Sequence, residues 1–344
     1  MSTANLDSAD LKGVNYGGLI REDVMEKIWD ISKIPLPFTD MIGSGKARNS
    51  FREWTTDELA APDVTNAVVD GADASGNNTA TGLRVGNHCQ TSDKVVKVSY
   101  RADASDIIGR SKELAYQLMR RQQELRRDVE AIALENQASV ADDGNSTAGK
   151  AGGLPTWIVT NSQNGTAGGF NVSDGLTDVW TSTGAVVTPT ETLVRNAVEG
   201  VYNEGGESTK LMSIPGITRR FSEYLFTSSA RVGTIMSDQG KSREAAAAVG
   251  SINIFVTDFG TLDIVPNRLQ QKQTAAAAND SAFIFILDPM QLAIDYLYGY
   301  RTDVLAKTGL AENRQMAVDW TLRVGNQKAQ AMIGDIGVAT AWTA

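Results

Sequence analysis

The sequence predicts an α+β protein, and three observations support this class. A long amphipathic segment, from Ser105 to Gln137, has the apolar spacing of one helix. A glycine-rich extended stretch precedes that segment, and short strand-like and helix-like segments alternate after it. Strands and helices in this order pack as mixed layers, so we expect a helix and sheet architecture with projecting parts.

Length and composition are those of an ordinary globular chain. The 344 residues are 42% apolar and 21% charged, which is enough for two or more cores. The formal net charge of −9 repels phosphate backbones and anionic lipid, so contact with nucleic acid should be local and weak. The single cysteine excludes an intrachain disulfide and favours a reducing compartment, with synthesis in the cytosol. We find no signal peptide and no membrane span, since the longest apolar run is 282–287.

The N-terminal region predicts an arm rather than a domain. Residues 1–17 are polar, and a short amphipathic helix should follow before Pro35 and Pro37. The apolar positions of that helix are Ile20, Val24, Ile28 and Ile31.

The stretch from Phe51 to about Tyr100 predicts a long β-hairpin. Its middle, 71–86, is rich in Gly, Asn, Asp, Ala and Thr, and Lys94 to Ser99 alternates like a strand. A two-stranded ribbon is marginally stable alone in water. Two interpretations remain open: a disordered surface loop, or a ribbon that docks on a neighbouring subunit.

The segment 105–137 predicts a helix that we call the spine, of roughly 48 Å at about 1.5 Å per residue. Its apolar stripe consists of Ile107, Leu114, Leu118, Leu125, Val129 and Ile132. The opposite face carries Lys112, Glu113, Arg120, Glu124, Arg126, Arg127 and Glu130. Spacings of three and four favour ion pairs within the helix. Contacts of these arginines with neighbouring subunits or with packaged nucleic acid are the alternatives.

Beyond the spine, residues 141–188 predict a glycine-rich connection in which only Trp157 to Val159 resembles a strand. Thr188, Pro189 and Glu191 then predict a capping box, with the proline at the first helical position. Gly205 and Gly206 should end that helix.

The remaining elements complete the α+β pattern. The predicted strands are 211–214, 252–257, 262–265, 282–287 and 316–324, and a helix should span 217–226. Strands 252–257 and 262–265 should form a hairpin around Phe259 and Gly260. The fully apolar strand 282–287 suits a sheet centre, whereas alternation in 316–324 predicts a half-buried strand.

Motifs for catalysis or ligand binding are weak. Gly144 to Lys150 matches part of a phosphate-binding loop, but Ala151 replaces the Ser or Thr that would hold Mg²⁺ and no buried strand precedes it. His88 and Cys89 are adjacent in a predicted loop, so their side chains should point apart as an exposed or interface pair. No spacing singles out a carboxylate pair. We therefore predict no catalytic, cofactor-binding or metal-binding residues and no enzymatic activity.

Several longer strings resemble a known protein family. They are EWTTDELAAPD (53–63), NAVVDGADA (66–74), GNHCQTSDKVVKVS (86–99), GRSKELAYQLMRRQQELRRDVE (109–130), LAKTGLAENRQ (305–315) and TLRVGNQKAQA (321–331). In these strings and in the order of its elements, the chain resembles tailed-phage major capsid proteins with the Hong Kong 97-type fold. The resemblance covers about 20–333 and is weakest in 141–188.

The resemblance implies a domain organisation. It comprises an N-terminal arm (1–50), an extended loop (51–104), a peripheral domain with the spine and the glycine-rich connection (105–188), an axial domain (189–290), and the return strands of the peripheral domain with the C-terminus (291–344).

The resemblance also implies a function, in which rings of six and five copies form an icosahedral head around double-stranded DNA. Inter-subunit contacts are expected at Trp54, Arg84, Lys94, Arg120 and Arg127. Portal and scaffolding proteins, and a decoration protein, are the implied partners besides the chain itself, with no membrane. The virion is the implied location, after assembly in the host bacterial cytoplasm. The alternative is an encapsulin-like shell of the same fold around protein cargo.

Overall fold

A computed structural model describes residues 35–73, 76, 81–227, 254–274, 280–307 and 309–338. Its helices are α1 (Pro37–Met41), α2 (Tyr100–Ala104), α3 (Glu113–Ala133), α4 (Glu191–Asn203) and α5 (Pro215–Thr227). The first strands are β1 (Gly43–Lys46), β2 (Phe51–Thr56), β3 (Leu83–His88), β4 (Gln90–Ser99), β5 (Ser162–Gln163), β6 (Gly165–Thr166), β7 (Gly169–Asn171), β8 (Leu176–Asp178) and β9 (Thr181–Ser182). The others are β10 (Lys210–Ser213), β11 (Ile254–Thr257), β12 (Gly260–Pro266), β13 (Gln273–Thr274), β14 (Asp280–Leu287), β15 (Leu292–Val304), β16 (Ala311–Val324) and β17 (Ala331–Gly337). The predicted helix around Ile20 to Ile31 lies outside the described residues.

The spine helix α3 is shorter than predicted, at 21 residues from Glu113 to Ala133 instead of 105–137. Gly109 adopts a left-handed φ of 77°, which an α-helix does not accommodate. The Asp103 carboxylate then accepts the Leu114 N–H at 3.2 Å and so satisfies the first turn. The sequence before the break forms the separate helix α2. Within the described ranges, no helix has the length and apolarity that a membrane crossing needs.

A four-stranded sheet, in the order β1-β15-β16-β4, lies beside the spine. Strand β4 pairs with β16 over its whole length, so the predicted strand at Lys94 to Ser99 belongs to this sheet and not to the hairpin. The prediction that 316–324 is half-buried is wrong, because residues 316–322 are all buried. Met316, Val318 and Trp320 pack into the same core as Leu125 of the spine. The base of the β2–β3 ribbon covers part of the other face, where Thr321 donates a hydrogen bond to the His88 carbonyl at 2.9 Å.

The second sheet has seven strands in the order β11-β12-β10-β14-β17-β5, with β13 paired to β14. The predicted central strand is confirmed, since β14 pairs with β10 and β17 and residues 281–287 are buried. Phe283 and Phe285 point into the core under the spine, whereas Ile284 and Ile286 pack against α4 and α5. The predicted hairpin around Phe259 is also confirmed as the antiparallel pair β11–β12. Strand β17 joins this sheet, so the boundary predicted at residue 291 does not follow the sheets.

The start of α4 differs from the predicted capping box. Thr190, not Thr188, is the N-cap, and its hydroxyl accepts the Leu193 N–H at 3.3 Å. Pro189 therefore precedes the cap instead of occupying the first helical position. Gly205, with a φ of 85°, follows the end of the helix as predicted.

The glycine-rich connection forms tight turns and short ribbons, β6–β9 and β7–β8. Trp157 is buried after a 3₁₀ turn at Leu154–Thr156, so the strand predicted at Trp157 to Val159 is wrong. The glycines permit close packing: a Cβ at Gly153 would lie 1.9 Å from the Glu135 carbonyl oxygen. Glycine is needed here because neighbouring backbone leaves no room for a side chain. Local sequence propensity does not reveal this packing.

Candidate subunit interface

The β2–β3 ribbon has an inner face that contacts the body and an outer face that does not. Trp54 and Val85 are register partners on the inner face, and the Trp54 ring lies 5.2 Å from that of Trp157. Asn87, also on this face, donates to the Leu322 carbonyl at 2.8 Å and is fully buried. The base of the predicted hairpin is therefore fixed by core packing and buried hydrogen bonds.

A buried carboxylate also anchors the ribbon to the four-stranded sheet. Asp295 is fully buried, and its Oδ2 lies 2.8 Å from Arg52 Nε and 3.3 Å from Arg323 Nε. A Cβ at Gly45 would lie 2.2 Å from Asp295 Oδ1, so strand β1 fits here only because that residue is glycine. A carboxylate removed from water needs charged partners, and here Arg52 Nε donates a hydrogen bond while Arg323 contributes its positive charge. Three separate strands are consequently tied to β15 at one point.

The chain that continues from the ribbon exposes an unusual number of aliphatic side chains. We call residues 57–73 the apolar loop; they form no helix or strand. Its exposed aliphatic residues are Leu59 (98% exposed), Val64 (96%), Val69 (80%) and Val68 (76%). Four exposed aliphatic side chains within one short segment favour an interaction surface.

The apolar loop is also acidic. Between Arg52 and Arg84 the sequence has no Lys or Arg, and its acidic residues are Glu53, Asp57, Glu58, Asp63, Asp70 and Asp73. Hydrogen bonds from Thr65 to the carboxylate lower the pKa of Asp63. None of the predicted contact residues lies in this segment. Its combination of acidic and aliphatic residues was the sequence signal that could have identified it.

Lys328 fixes the start of the apolar loop. Its Nζ lies 2.6 Å from Glu58 Oε2 and 2.9 Å from Glu204 Oε2, at the end of α4. Hydrogen bonds to Glu58 and then to Glu204 raise the pKa of Lys328. The loop thus departs from the body at a defined position.

Two of the predicted contact residues lie on opposite faces of the ribbon. Trp54 is half-buried against the body, where it supports the ribbon. Arg84 lies on the outer face, with its side chain 74% exposed, and pairs with Glu53 at 2.9 Å. Of these two residues, only Arg84 exposes most of its side chain, where another chain could contact it.

The other three predicted contact residues lie on the spine or next to it. Lys94 on β4 pairs with Asp128 of the spine at 2.6 Å. The Arg120 guanidinium lies 5.9 Å from the centre of the Tyr116 ring, and Arg127 is exposed. The structure therefore does not bring the five predicted residues into one cluster.

The polar face predicted for the spine is partly wrong. Glu130 is fully buried and accepts hydrogen bonds from Thr39 Oγ1 at 3.0 Å and Asn267 Nδ2 at 2.7 Å. The backbone N–H groups of Phe38 and Thr39 donate to the same carboxylate, both at 3.3 Å. Burial raises the pKa of Glu130 despite these donors. Instead of pairing with an arginine on its own helix, Glu130 holds α1 and the segment after β12 against the spine.

The remaining charges of the spine also pair differently. Glu124 pairs with Arg121 at 2.6 Å, a pair three positions apart on the same helix. The Arg126 guanidinium lies 5.2 Å from the centre of the Tyr300 ring. The charges of the spine thus form the Glu124–Arg121 ion pair and a contact between Arg126 and β15.

His88 and Cys89 were predicted as an exposed or interface pair in a loop, but both pack within their own chain. His88 ends β3, and its ring centre lies 4.6 Å from that of Phe51. Cys89 is buried, and its thiol donates to the Asn49 carbonyl at 3.5 Å. Burial raises the pKa of the thiol to about 12, so it is protonated at neutral pH.

In the loop that partly matches a phosphate-binding motif, the backbone amides are hydrogen-bonded within the loop itself. The N–H groups of Asn145, Ser146 and Thr147 donate to Asp143 Oδ1 at 2.8 to 2.9 Å. These bonds, that of Thr147 first, lower the pKa of Asp143. Amides that a phosphate would require are already satisfied by a carboxylate. In the described ranges, no three acidic, His or Cys side chains are grouped as metal ligands would be.

A second exposed apolar edge lies on the seven-stranded sheet. Ile254 (56% exposed) and Val256 (68% exposed) project from β11, an edge strand. Phe259, in the turn after β11, lies 4.9 Å from Tyr202 between ring centres. The sequence analysis identified this hairpin but not its exposed face, because alternation alone does not tell which face is covered.

Known proteins are similar to this chain in sequence and in fold. The family model described as "SU10 major capsid protein" matches residues 3–337. The major capsid protein of Escherichia phage Phieco32 is 37% identical over 102 residues, which are 30% of this chain and 29% of that protein. The match therefore spans less than a third of the relative's length.

Solved structures share the fold at low sequence identity. The capsid of a native GTA particle has a TM-score of 0.59 and 13% identity, with 96% of this chain and 100% of that chain covered. The capsid of cyanophage P-SCSP1u has a TM-score of 0.56 and 14% identity, covering 96% and 99%. The SrpI encapsulin of Synechococcus elongatus PCC 7942 has a TM-score of 0.52 and 11% identity, covering 99% of both chains. The predicted Hong Kong 97-type fold is thereby confirmed.

Proposed function

The chain belongs to the SU10 major capsid protein family, and from this premise we propose that its copies assemble as rings of six and five into an icosahedral head around phage double-stranded DNA. The predicted family resemblance is thus confirmed. The family is structural, which supports a role in the virion without catalysis.

The observation that carries this proposal is the apolar loop. Burying a Val or Leu side chain contributes about 1.5–3 kcal/mol, so the four exposed side chains could contribute about 6–12 kcal/mol per subunit once covered. Their exposure in the single chain, at 76% to 98%, means that this free energy is available only from a partner. A loop on one copy that packs on a different surface of the next is a head-to-tail contact, and such contacts form rings when the rotation between copies closes.

The predicted contact residues take two roles in this proposal. Arg84 and Arg127, which are exposed, and Arg120 contact neighbouring copies. Trp54 and Lys94 act indirectly, since the first supports the ribbon and the second ties β4 to the spine. Exposed ion pairs contribute little individually, so these arginines should affect the geometry of assembly more than its strength.

The predicted domains and partners also belong to the proposal. The seven-stranded sheet with α4 and α5 forms most of the axial domain, and the four-stranded sheet with the spine forms most of the peripheral domain. Portal, scaffolding and decoration proteins are the expected partners, and assembly takes place in the host bacterial cytoplasm. The net charge of −9 supports only local contact with packaged DNA.

The test is the state of the purified chain, alone and with a scaffolding protein. Negative-stain microscopy and light scattering should report closed particles far above the 36.8 kDa of one chain. A persistent monomer under all these conditions would contradict the proposal. The encapsulin-like alternative shares the fold, but the family match favours the phage capsid.

A further inference from the structure

A cavity of about 450 Å³ lies at the C-terminal end of the spine. Three parts of the chain form most of it: residues 134–136 after the spine, residues 179–182 of the glycine-rich connection, and the segment 271–273. Trp180 and Phe283, both almost fully buried, form its aromatic walls, and their rings meet edge to face at 5.0 Å between centres. The cavity therefore combines apolar walls with a small number of polar groups, as small-molecule sites do.

Glu135 places an unpaired carboxylate in this cavity. Its side chain has no hydrogen bond or ion pair with any residue that the structure describes. The residue is half-buried, and burial raises the pKa of its carboxyl. A carboxylate that loses water without gaining a partner costs free energy, and a bound cation would offset this cost.

The end of the spine adds negative potential at the same place. The 21-residue helix ends at Ala133, and its last turn has no basic residue. The carbonyl end of a helix carries a partial negative charge, which favours a cation close to the last turn. Lys272 also lines the cavity and already has an interaction of its own. Glu135 and the helix end thus place negative charge on the spine side of the cavity.

Gln273 adds an unpaired hydrogen-bond acceptor. Its Oε1 atom is buried and accepts no hydrogen bond within the described part of the chain. The neighbouring Asn136 does not serve it, because the Asn136 side chain bonds the backbone N–H and carbonyl of Trp180, at 2.9 and 2.7 Å. A buried acceptor without a donor costs free energy, so a ligand that brings N–H groups would stabilise this wall.

We propose that this cavity binds an organic cation, with its guanidinium or ammonium group against Glu135 and Gln273 and its aliphatic stem along the aromatic walls. Such a ligand supplies positive charge for the carboxylate, N–H donors for the amide oxygen and apolar surface for the rings. A guanidinium is favoured, because its planar fork offers several donors in fixed directions. The bound cation links the end of the spine to β13, and so stabilises the folded subunit.

Calorimetric titration with agmatine, a butyl chain that carries a guanidinium and an ammonium group, tests the site. The purified chain should bind agmatine with a dissociation constant at or below about 1 mM. Glu135→Gln keeps the shape of the side chain but removes its charge, and should weaken binding at least about ten-fold. The matched control is Glu124→Gln, since Glu124 lies on the spine outside the cavity and pairs with Arg121. It should bind agmatine like the unmodified chain, whereas unchanged affinity in Glu135→Gln would overturn the proposal.

Two sources can supply this chemistry: a free amine, or a basic side chain of the protein itself. Residues 1–34 contain Lys12, Arg21, Lys27 and Lys33. A full-length variant with glutamine at these four positions distinguishes the two sources. Tighter agmatine binding by this variant would show that the chain's own basic residues compete for the cavity, and equal binding would show a site for a free cation. Both results support the site, and no binding to either protein at about 10 mM agmatine overturns it.

A neutral probe covers the case in which Glu135→Gln does not fold. Butylurea resembles agmatine in shape but has no charge, and should bind the unmodified chain at least about ten-fold more weakly. Equal affinity for the two probes would overturn the proposal, because the carboxylate would then not recognise charge. These measurements need only the folded chain, so their failure leaves the proposed capsid function intact.

Discussion

Replacing the aliphatic residues of the apolar loop should abolish or strongly weaken assembly without destabilising the subunit. The variant carries serine at Leu59, Val64, Val68 and Val69, which are 98%, 96%, 76% and 80% exposed. Because these side chains already lie in water, each change should alter subunit stability by no more than about 0.5 kcal/mol.

The expected loss of assembly follows from the area that contacts with a second copy would cover. At about 1.5 kcal/mol per side chain, complete burial of four side chains contributes about 6 kcal/mol, or roughly 10⁴-fold in an association constant. If only half of this surface is covered in the shell, the factor is roughly 10². We therefore expect the concentration needed for particle formation to rise at least about 100-fold.

The assay combines light scattering against concentration with thermal unfolding followed by circular dichroism. Met290→Ser is the matched control, since Met290 is 92% exposed outside the apolar loop, and it should assemble at the unmodified concentration. Assembly of the fourfold variant at that same concentration would refute the reasoning. A large fall in its melting temperature would also refute it, because the side chains would then pack within their own subunit.

Three further predictions concern the spine and α4. Leu125→Asp buries an unpaired charge in the core and should destabilise the subunit by several kcal/mol, whereas Arg127→Asp at an exposed position should not; equal melting temperatures would show that the stripe is unpacked. Thr190→Ala should lower the free energy of unfolding by about 1 kcal/mol through loss of the N-cap, and Thr188→Ala in the same urea titration should have no comparable effect; the reverse result would restore the predicted capping box. Burial raises the pKa of Glu130 above its ordinary 4.5, so the folded state binds more protons and its contribution to stability falls as pH rises above that value. Glu130→Gln should therefore remove part of this fall in urea titrations between about pH 4 and 7, and identical slopes for the two proteins would contradict it.

Local sequence patterns correctly predicted the elements whose buried positions recur at a regular spacing. The stripe through Leu125 and Val129 is buried as its spacing indicated, and the apolar run 282–287 is the centre of a sheet. The ribbon was also predictable, because glycine-rich sequence separates its two strands. Boundaries were less accurate: the spine helix starts at Glu113, after Gly109, and only the left-handed φ of that glycine reveals the break.

The candidate interface was predicted only in outline. The sequence indicated an extended segment that lacks a core of its own, and the structure located its exposed side chains from Leu59 onwards. The proposed arginine contacts rested on the family resemblance, which gives segments rather than surfaces. Trp54 and Lys94 look equally available in the sequence, yet both contact their own chain. The exposure of a side chain depends on which residues pack around it, and the residue type alone does not determine this.

The sequence by itself determined the α+β class, the family and the order of arm, ribbon, spine and sheets, since periodicity and long motifs are properties of neighbouring residues. Tertiary structure decided which polar groups are buried. Glu130 has the spacing of a surface residue, but its donors come from Phe38 and Asn267, which are 92 and 137 positions away. A charged side chain leaves water only where such donors converge, and that convergence exists only in the folded chain.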